Sequence, residues 1–274
     1  MLILESPWMG LPGVPAIVNG GSQQANGLLA ALPLNAGAVD VTGKTGASVA
    51  TTKFGLDMGR GAQQFDGAQD IRLGSVAEIN AATNLTMCAW FRPSSFANAY
   101  NTFLSNAGSG TYCDLHIRSN GKLALYALDT VTGRSYDGTG TYTLAANTLY
   151  FIALTASNTT LSGYINAELD GSVGLTNGLA ARSGGVATIG NNPPGFATRF
   201  INGRVRDVRF YNRALTQGEL REIYLAGNQL FAPQQITIPT AAAASSLPTL
   251  SLPTYVTGSV TATGARGRVT ATAP

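Results

Sequence analysis

Two short stretches space their titratable side chains so that both would lie on one face of an extended strand. Asp114-Leu115-His116 holds the only histidine of the chain, and Glu168-Leu169-Asp170 holds two carboxylates. A carboxylate beside an imidazole is part of a nucleophilic triad, and two carboxylates flanking a glycosidic bond hydrolyse it. Neither set is complete. A Ser/His/Asp triad would depend wholly on His116, and Asp114 with His116 reads as an ordinary strand-face pair. Asp170-Gly171 is a turn signal, so Glu168 and Asp170 are expected at a surface turn. A single histidine excludes His-rich metal sites, and the chain has no P-loop, no dinucleotide fingerprint and no Cys/His zinc spacing. The expectation is a protein that is not an enzyme.

Composition narrows the class further. Of 274 residues only 11% are charged and 33 are glycine, with a net charge of +3. This is the make-up of an all-β chain with many tight turns and a surface of hydroxyls and amides. The basic residues are scattered apart from Arg204, Arg206 and Arg209, a run that reads as a solvated strand face, so nucleic acid is not an expected partner. Cys88 and Cys113 fall on separate predicted strands; a disulfide or two buried thiols would fit, and the lack of a disulfide-rich pattern or secretory signal favours thiols. No apolar run reaches the length that spans a membrane, and MLILESPWMGLPGVP lacks the features of a signal peptide, so folding in a cytoplasm is expected.

The most structured stretch is FINGRVRDVRFYNRALTQGELREIY, Phe200 to Tyr224. Val205, Val208 and Phe210 read as the buried positions of a strand. Thr216 and Glu219 form a capping box, Leu215 and Leu220 a hydrophobic staple, and Leu220, Ile223 and Tyr224 one apolar helical face, with Gly227 as the stop. This segment resembles the closing segment of laminin-G-like, concanavalin A-like jelly-roll domains. The resemblance rests on Phe200, Gly203, Val205, Asp207, Val208, Arg209, Tyr211, Asn212, Arg213, Ala214, Leu215, Thr216, Glu219, Leu220, Ile223 and Tyr224, and it extends back to about Phe65.

The elements follow in order. LTMCAWFR, Leu85 to Arg92, is apolar on both faces and reads as a central strand ended by Pro93, with Trp90 in the core. Further strands are expected at Ile71–Leu73, Thr102–Ser105, Tyr112–Arg118, Lys122–Leu128, Leu149–Ala156, Leu161–Ile165 and Val186–Ile189, with a primed-type hairpin turn at Asn120-Gly121. Where the family has Asn-Gly, this chain has Asn166-Ala167, so the turn is expected to move to Asp170-Gly171. The fold expected is an all-β, two-sheet antiparallel jelly-roll sandwich over residues 36–228 with one short C-terminal helix. Residues 1–35 read as an extended apolar arm, packed on its own domain or docked on a neighbouring subunit. Residues 229–274 read as a linker and a small β tail with a hairpin around Gly264–Gly267.

The resemblance carries functional expectations. Glucanases of this fold place Glu-x-Asp-x-Glu on one strand, and Glu168-Leu169-Asp170 lacks the third acid. No cofactor is required, but calcium is the family's usual ion, and Asp66, Asp70, Asp137, Asn191 and Asn192 are the candidates to hold it. A sugar would be sought among Tyr100, Tyr136, Asn191, Asn192 and Phe196 on rim loops. The C-terminal tail resembles endings that follow laminin-G-like domains on proteins of tailed bacteriophages and prophages. That likeness implies a virion structural protein, a capsid decoration or cement protein displaying a lectin-like domain on the particle surface. Its partners would be the major capsid protein or other virion proteins, through the arm and tail, and its own copies in a homo-oligomer such as a trimer. The alternative is a tail- or fibre-borne adhesin that binds host-surface glycans.

Overall fold

The computed structural model describes residues 23–34, 38, 40–42, 44, 47–49, 53–57, 60–73, 76–107, 112–129, 134–176, 178–179, 186–191 and 199–226, together with short strands at 2–3, 235–236, 260–263 and 268–271. In chain order the strands are β1 (Leu2–Ile3), β2 (Leu28–Leu32), β3 (Ala47–Val49), β4 (Lys53–Asp57), β5 (Arg60–Asp66), β6 (Ile71–Leu73) and β7 (Leu85–Ser95). They continue with β8 (Tyr100–Ala107), β9 (Tyr112–Arg118), β10 (Lys122–Asp129), β11 (Arg134–Thr143), β12 (Tyr150–Ala156) and β13 (Thr160–Ile165). The last are β14 (Glu168–Gly174), β15 (Val186–Ile189), β16 (Asn202–Tyr211), β17 (Gln235–Ile236), β18 (Val260–Thr263) and β19 (Arg268–Ala271). Two helices, α1 (Ala77–Asn80) and α2 (Gln217–Ala226), complete the set.

The chain divides into two compact units. One, Met1–Ser6 with Pro233–Pro274, contains the β1·β17 pair and the β18·β19 hairpin, the latter where the alternation predicts it. The other, Pro7–Ala232, is the sandwich. Its first sheet runs β11-β10-β9-β8-β15-β6-β3 and its second β14-β13-β12-β7-β16-β5-β4, with β2 added on β16; every pair is antiparallel. Leu115, Ile117, Leu123 and Leu125 of the first sheet meet Met87, Phe91, Ile152, Val205 and Phe210 of the second in one buried core. This is the two-sheet jelly roll that the sequence predicts.

Strand β16 organises the second sheet. One edge pairs with β7 along its length; the other pairs with β5 through Val205 and with β2 from Val208. The change of partner falls on a bulge at Arg206-Asp207, where Asp207 has φ 51° and donates its N–H to Pro33 O at 3.2 Å. The bulge lets Val205, Val208 and Phe210 all reach the core although plain alternation would split them. It also sets Arg206 opposite Trp90 and Arg209 opposite Cys88 on the outer face.

On that outer face α2 covers a second cluster of Leu28, Ala31, Cys88, Phe151, Leu215, Leu220 and Ile223. The cap is as the sequence predicts: Glu219 N–H donates to Thr216 Oγ1 at 3.2 Å and Thr216 N–H to Glu219 Oε2 at 2.8 Å. Thr86 of β7 pins the entry to the helix, donating to Arg213 O at 2.7 Å and accepting Leu215 N–H at 2.9 Å. Trp90 stacks under Tyr224 at 5.5 Å.

Several expectations are corrected. Arg206 and Arg209 are not solvated: Arg206 lies over Trp90 at 5.3 Å, and Arg209 is 1% exposed with Nη1 donating to Gln24 Oε1 at 2.8 Å. Of the arm assigned to residues 1–35, the described part includes β2, which packs on its own domain along β16, one of the two readings the sequence leaves open; Leu28–Leu32 lacks polar alternation because both its faces are covered. Strand β7 runs past Pro93, whose carbonyl accepts Asn147 N–H at 2.6 Å. Only Gly121 of Asn120-Gly121 is left-handed, so that turn is not primed. The β13–β14 hairpin turns at Asn166-Ala167 (φ 52° and 65°), not at Asp170-Gly171, which lies inside β14. The favoured reading of the cysteines holds: Cys88 and Cys113 are buried free thiols, one beneath α2 and the other in the inter-sheet core.

Candidate functional site

Strands β8, β9, β10 and β15 send alternate residues outward from the first sheet. Cys113, Leu115 and Ile117 fill the core, so Asp114, His116 and Arg118 face the other way. The register then lines up a polar row across neighbouring strands: Arg72 opposite Thr188, Thr188 opposite Ser105, Ser105 opposite Asp114, Asp114 opposite Tyr126. Thr102 and His116 form the next row, and Tyr100 with Arg118 the row beyond.

The floor of this face is buried and hydrogen-bonded. Asp114 is inaccessible to solvent; its Oδ1 accepts the Ser105 hydroxyl and its Oδ2 lies 3.5 Å from His116 Nε2. His116 Nδ1 is 3.0 Å from Thr102 Oγ1. Burial, with the positive charges of Arg199 and Arg118 added, pushes the imidazole down to about 3. The ring is therefore neutral at physiological pH, and with Nε2 protonated it donates toward Asp114 and accepts from Thr102. Thr188 donates to Asn191 O at 2.5 Å.

Above the floor stands Tyr100. Its ring meets His116 edge-on at 5.5 Å, and the guanidinium carbons of Arg118 and Arg199 each lie 5.4 Å from its centroid. All three side chains are half-buried. Arg199 is held there because its carbonyl accepts Thr102 N–H at 2.8 Å, while Gly190 N–H donates to Phe103 O at 3.0 Å. Gly190 and Arg199 are thus both tied to β8. An aromatic ring with donors around it, over a rigid polar floor, is the make-up of a site that holds a polar ligand with some apolar surface.

Of the residues proposed for a sugar, the structure brings Tyr100 and Asn191 to this face. Asn191 is buried, and its Oδ1 has no hydrogen-bond partner. Tyr136 of β11 pairs with Ala127 of β10, but its side chain lies outside the described residues, as do Asn192 and Phe196. Among the described residues the calcium candidates do not assemble. Asp66 is exposed at the end of β5, Asp70 is buried with Oδ2 accepting Arg72 Nη2 at 3.1 Å, and the described residues contain no group of three or more His, Cys, Asp or Glu. The side chain of Asp137 and all of Asn192 lie outside the described residues.

Glu168 and Asp170 are engaged elsewhere. Glu168 accepts from Arg221 and, at 2.9 Å, from Gln217, while Asp170 Oδ1 accepts Tyr142 N–H at 2.6 Å and Thr141 N–H at 2.9 Å. The residues that sequence reasoning missed are Arg118, Arg199, Thr102 and Tyr126. A signal for one existed, since Asp114, His116 and Arg118 are polar at every second position of an otherwise apolar strand.

Comparison with known proteins defines the family. Residues 65–221 match the laminin G profile described as the concanavalin A-like lectin/glucanases superfamily, and the chain belongs to that family. A search of characterised proteins by sequence finds no match. Among solved structures, domain 4 of AbnA, a GH43 extracellular arabinanase from Geobacillus stearothermophilus in complex with arabinotriose, is similar with TM-score 0.61 and 17% identity, over 72% of this chain and 98% of that one. The binding domain of Paraclostridial Mosquitocidal Protein 1 is similar with TM-score 0.63 and 16% identity, over 75% of this chain and 53% of that one. The botulinum neurotoxin serotype G binding domain gives TM-score 0.60 and 16% identity, over 73% and 51%. The chain spans about half the length of these two toxin domains.

Proposed function

We propose that this chain is a carbohydrate-binding, lectin-like module that holds a glycan on the outer face of the first sheet. The observation that carries the reading is Tyr100, set between Arg118 and Arg199 above the Asp114–His116–Thr102 array. A sugar presents an apolar C–H face to an aromatic ring and hydroxyls to the donors around it. Membership of a lectin/glucanase superfamily and the fold shared with an arabinanase domain solved with arabinotriose support the same reading. The module binds without cleaving, since Glu168 is committed to Arg221 and Gln217 and Asp170 to backbone N–H groups. Metal is not required for this binding.

The test is calorimetric titration of the protein with arabinotriose and with a panel of host-surface oligosaccharides, with Tyr100→Ala as control. Saturable binding that the substitution abolishes is the expected result. Failure of every saccharide to bind overturns the reading.

The setting proposed for the module is the surface of a bacteriophage particle, as a capsid decoration protein in a homo-oligomer. The low charge content and the phage-like C-terminal tail favour it. Quantitative mass spectrometry of purified particles tests this. A copy number near that of the major capsid protein places it on the head, a far lower one makes it a tail adhesin, and absence from particles overturns the virion setting.

A further inference from the structure

We infer that the glycan is a linear oligosaccharide rather than a single sugar, running from Tyr100 across the end of the first sheet to Lys122 and Thr143. The inference rests on the glycan-binding reading and deepens it.

Three observations carry it. First, the register sets these residues side by side on one face. Tyr100 of β8 is opposite Arg118 of β9, and Lys122 of β10 is opposite Thr143 of β11. Leu123 is opposite Ile117, so Lys122 falls beside Arg118 where the β9–β10 hairpin closes. Leu123 and Leu144 fill the core, which turns Lys122 and Thr143 to the outer side with Tyr100. Three strand spacings separate Tyr100 from Thr143, about 14 Å, a span of several linked sugar rings. Second, this row is open to solvent. Tyr100, Arg118 and Lys122 are half-buried and Thr143 is exposed, whereas Thr102, His116 and Ala124 of the next row are buried. A chain that leaves Tyr100 along β9 meets that closed row, and one that crosses β9 and β10 stays at the surface. Arg118 enters through its place between Tyr100 and Lys122, with its guanidinium contacts kept. Third, the hairpin presents donors from a fixed backbone. Gly121 N–H donates to Arg118 O at 2.8 Å and Leu144 N–H to Gly121 O at 2.9 Å, which fastens the turn to β11. Gly121 is left-handed, and a Cβ there would lie 2.6 Å from Leu144 O, so turn and strand are pressed together. Asn120 Oδ1 accepts Lys122 N–H at 3.2 Å, which commits the amide oxygen and leaves the Nδ2 hydrogens to donate. The Lys122 ammonium adds three more donors for sugar hydroxyls.

The experiment is calorimetric titration of the full chain with two length series: arabinobiose to arabinopentaose, and lactose to lacto-N-hexaose. In at least one series affinity should rise about tenfold or more from the shortest member to the longest, the size of one or two added hydrogen bonds. Lys122→Ala should weaken the longest member about three- to tenfold and leave the disaccharide unchanged. Lys122→Gln, which keeps donors, should lose less. Tyr142 is exposed but stands edge-on to Tyr150 at 6.1 Å, away from this row, so Tyr142→Ala should keep the whole length gain. Thermal melts check that each variant is folded, and affinities are read only against folded protein. Equal affinity along both series overturns this inference and leaves the glycan-binding reading standing. A length gain kept in full by folded Lys122→Ala, or lost in folded Tyr142→Ala, overturns the path assigned. No binding of any probe overturns both.

Discussion

Gly140 of β11 and Asp170 of β14 touch where the edge of one sheet meets the edge of the other. Asp170 Oδ1 accepts the N–H groups of Thr141 and Tyr142, and a Cβ added at Gly140 would overlap the carboxylate, 2.7 Å from its Cγ. One side chain thus laces β14 to β11 and closes this side of the sandwich. Asp170→Ala leaves two N–H groups without their acceptor and is expected to cost about 2–4 kcal/mol. Gly140→Ala should cost about 1–3 kcal/mol by pushing the carboxylate off its donors. In the Asp170→Ala background the same Gly140→Ala change should cost almost nothing, because its clash partners are gone. Urea unfolding of the four proteins measures the cycle, and simple additivity would contradict the account.

His116 makes stability depend on pH. Its folded value, about 3, lies below the ordinary value of 6.5. Below the unfolded value the denatured chain takes up a proton that the native protein refuses, so stability falls as pH drops from about 6.5 toward the folded value. The slope from this group is about 1.4 kcal/mol per pH unit. Unfolding between about pH 6 and 4.5, above most carboxylate titrations, should show it, and His116→Gln should flatten the profile. An imidazole that titrates near its ordinary value by NMR would contradict the burial argument.

Glu219 should show the opposite device at the surface. Partial burial alone would raise its carboxyl, but Thr216, through its N–H and hydroxyl, and Arg213 at 2.7 Å outweigh that and hold it below the usual carboxylate value. Its stabilising contribution is full above the unfolded value and lost as pH falls through the folded one. Glu219→Gln should cost about 0.5–1 kcal/mol near neutrality, and the difference from the wild type should vanish in acid. A difference constant with pH would show that charge plays no part in the cap.

The thiols should be silent. Burial pushes Cys88 up to about 12 against the partial opposition of Arg209, and Cys113 is closed in the inter-sheet core. A thiol-specific reagent should find no reactive cysteine in the native protein and two in denaturant. Rapid labelling without denaturant would contradict the packing of α2 on β7.

Parts of this fold were legible because local chemistry and long-range packing agree. Strand β7 declares itself by apolar residues on both faces, and α2 by Thr216, Glu219 and its apolar stripe. The bulge at Arg206-Asp207 was not legible, since nothing local marks where β16 exchanges β5 for β2. That exchange buries Arg206 and Arg209, which alternation alone places in water. The turn at Asn166-Ala167 was missed because Ala167 takes a left-handed conformation that glycine normally fills. Of the site, Tyr100 and Asn191 were named as rim residues, and Asp114 with His116 as a strand-face pair. Their union with Thr102, Arg118 and Arg199 depends on register across three strands, which only the assembled sheet provides.

The glycan proposed to sit on Tyr100 above His116 has a built-in reporter. The chain has one histidine, so the imidazole nitrogen signals in a long-range 1H–15N spectrum belong to His116 alone. Titration with the tightest-binding saccharide should shift these signals saturably, with the same Kd as calorimetry, and should leave them still in Tyr100→Ala. Saturable binding in calorimetry with the His116 signals unmoved would place the glycan elsewhere and contradict the account.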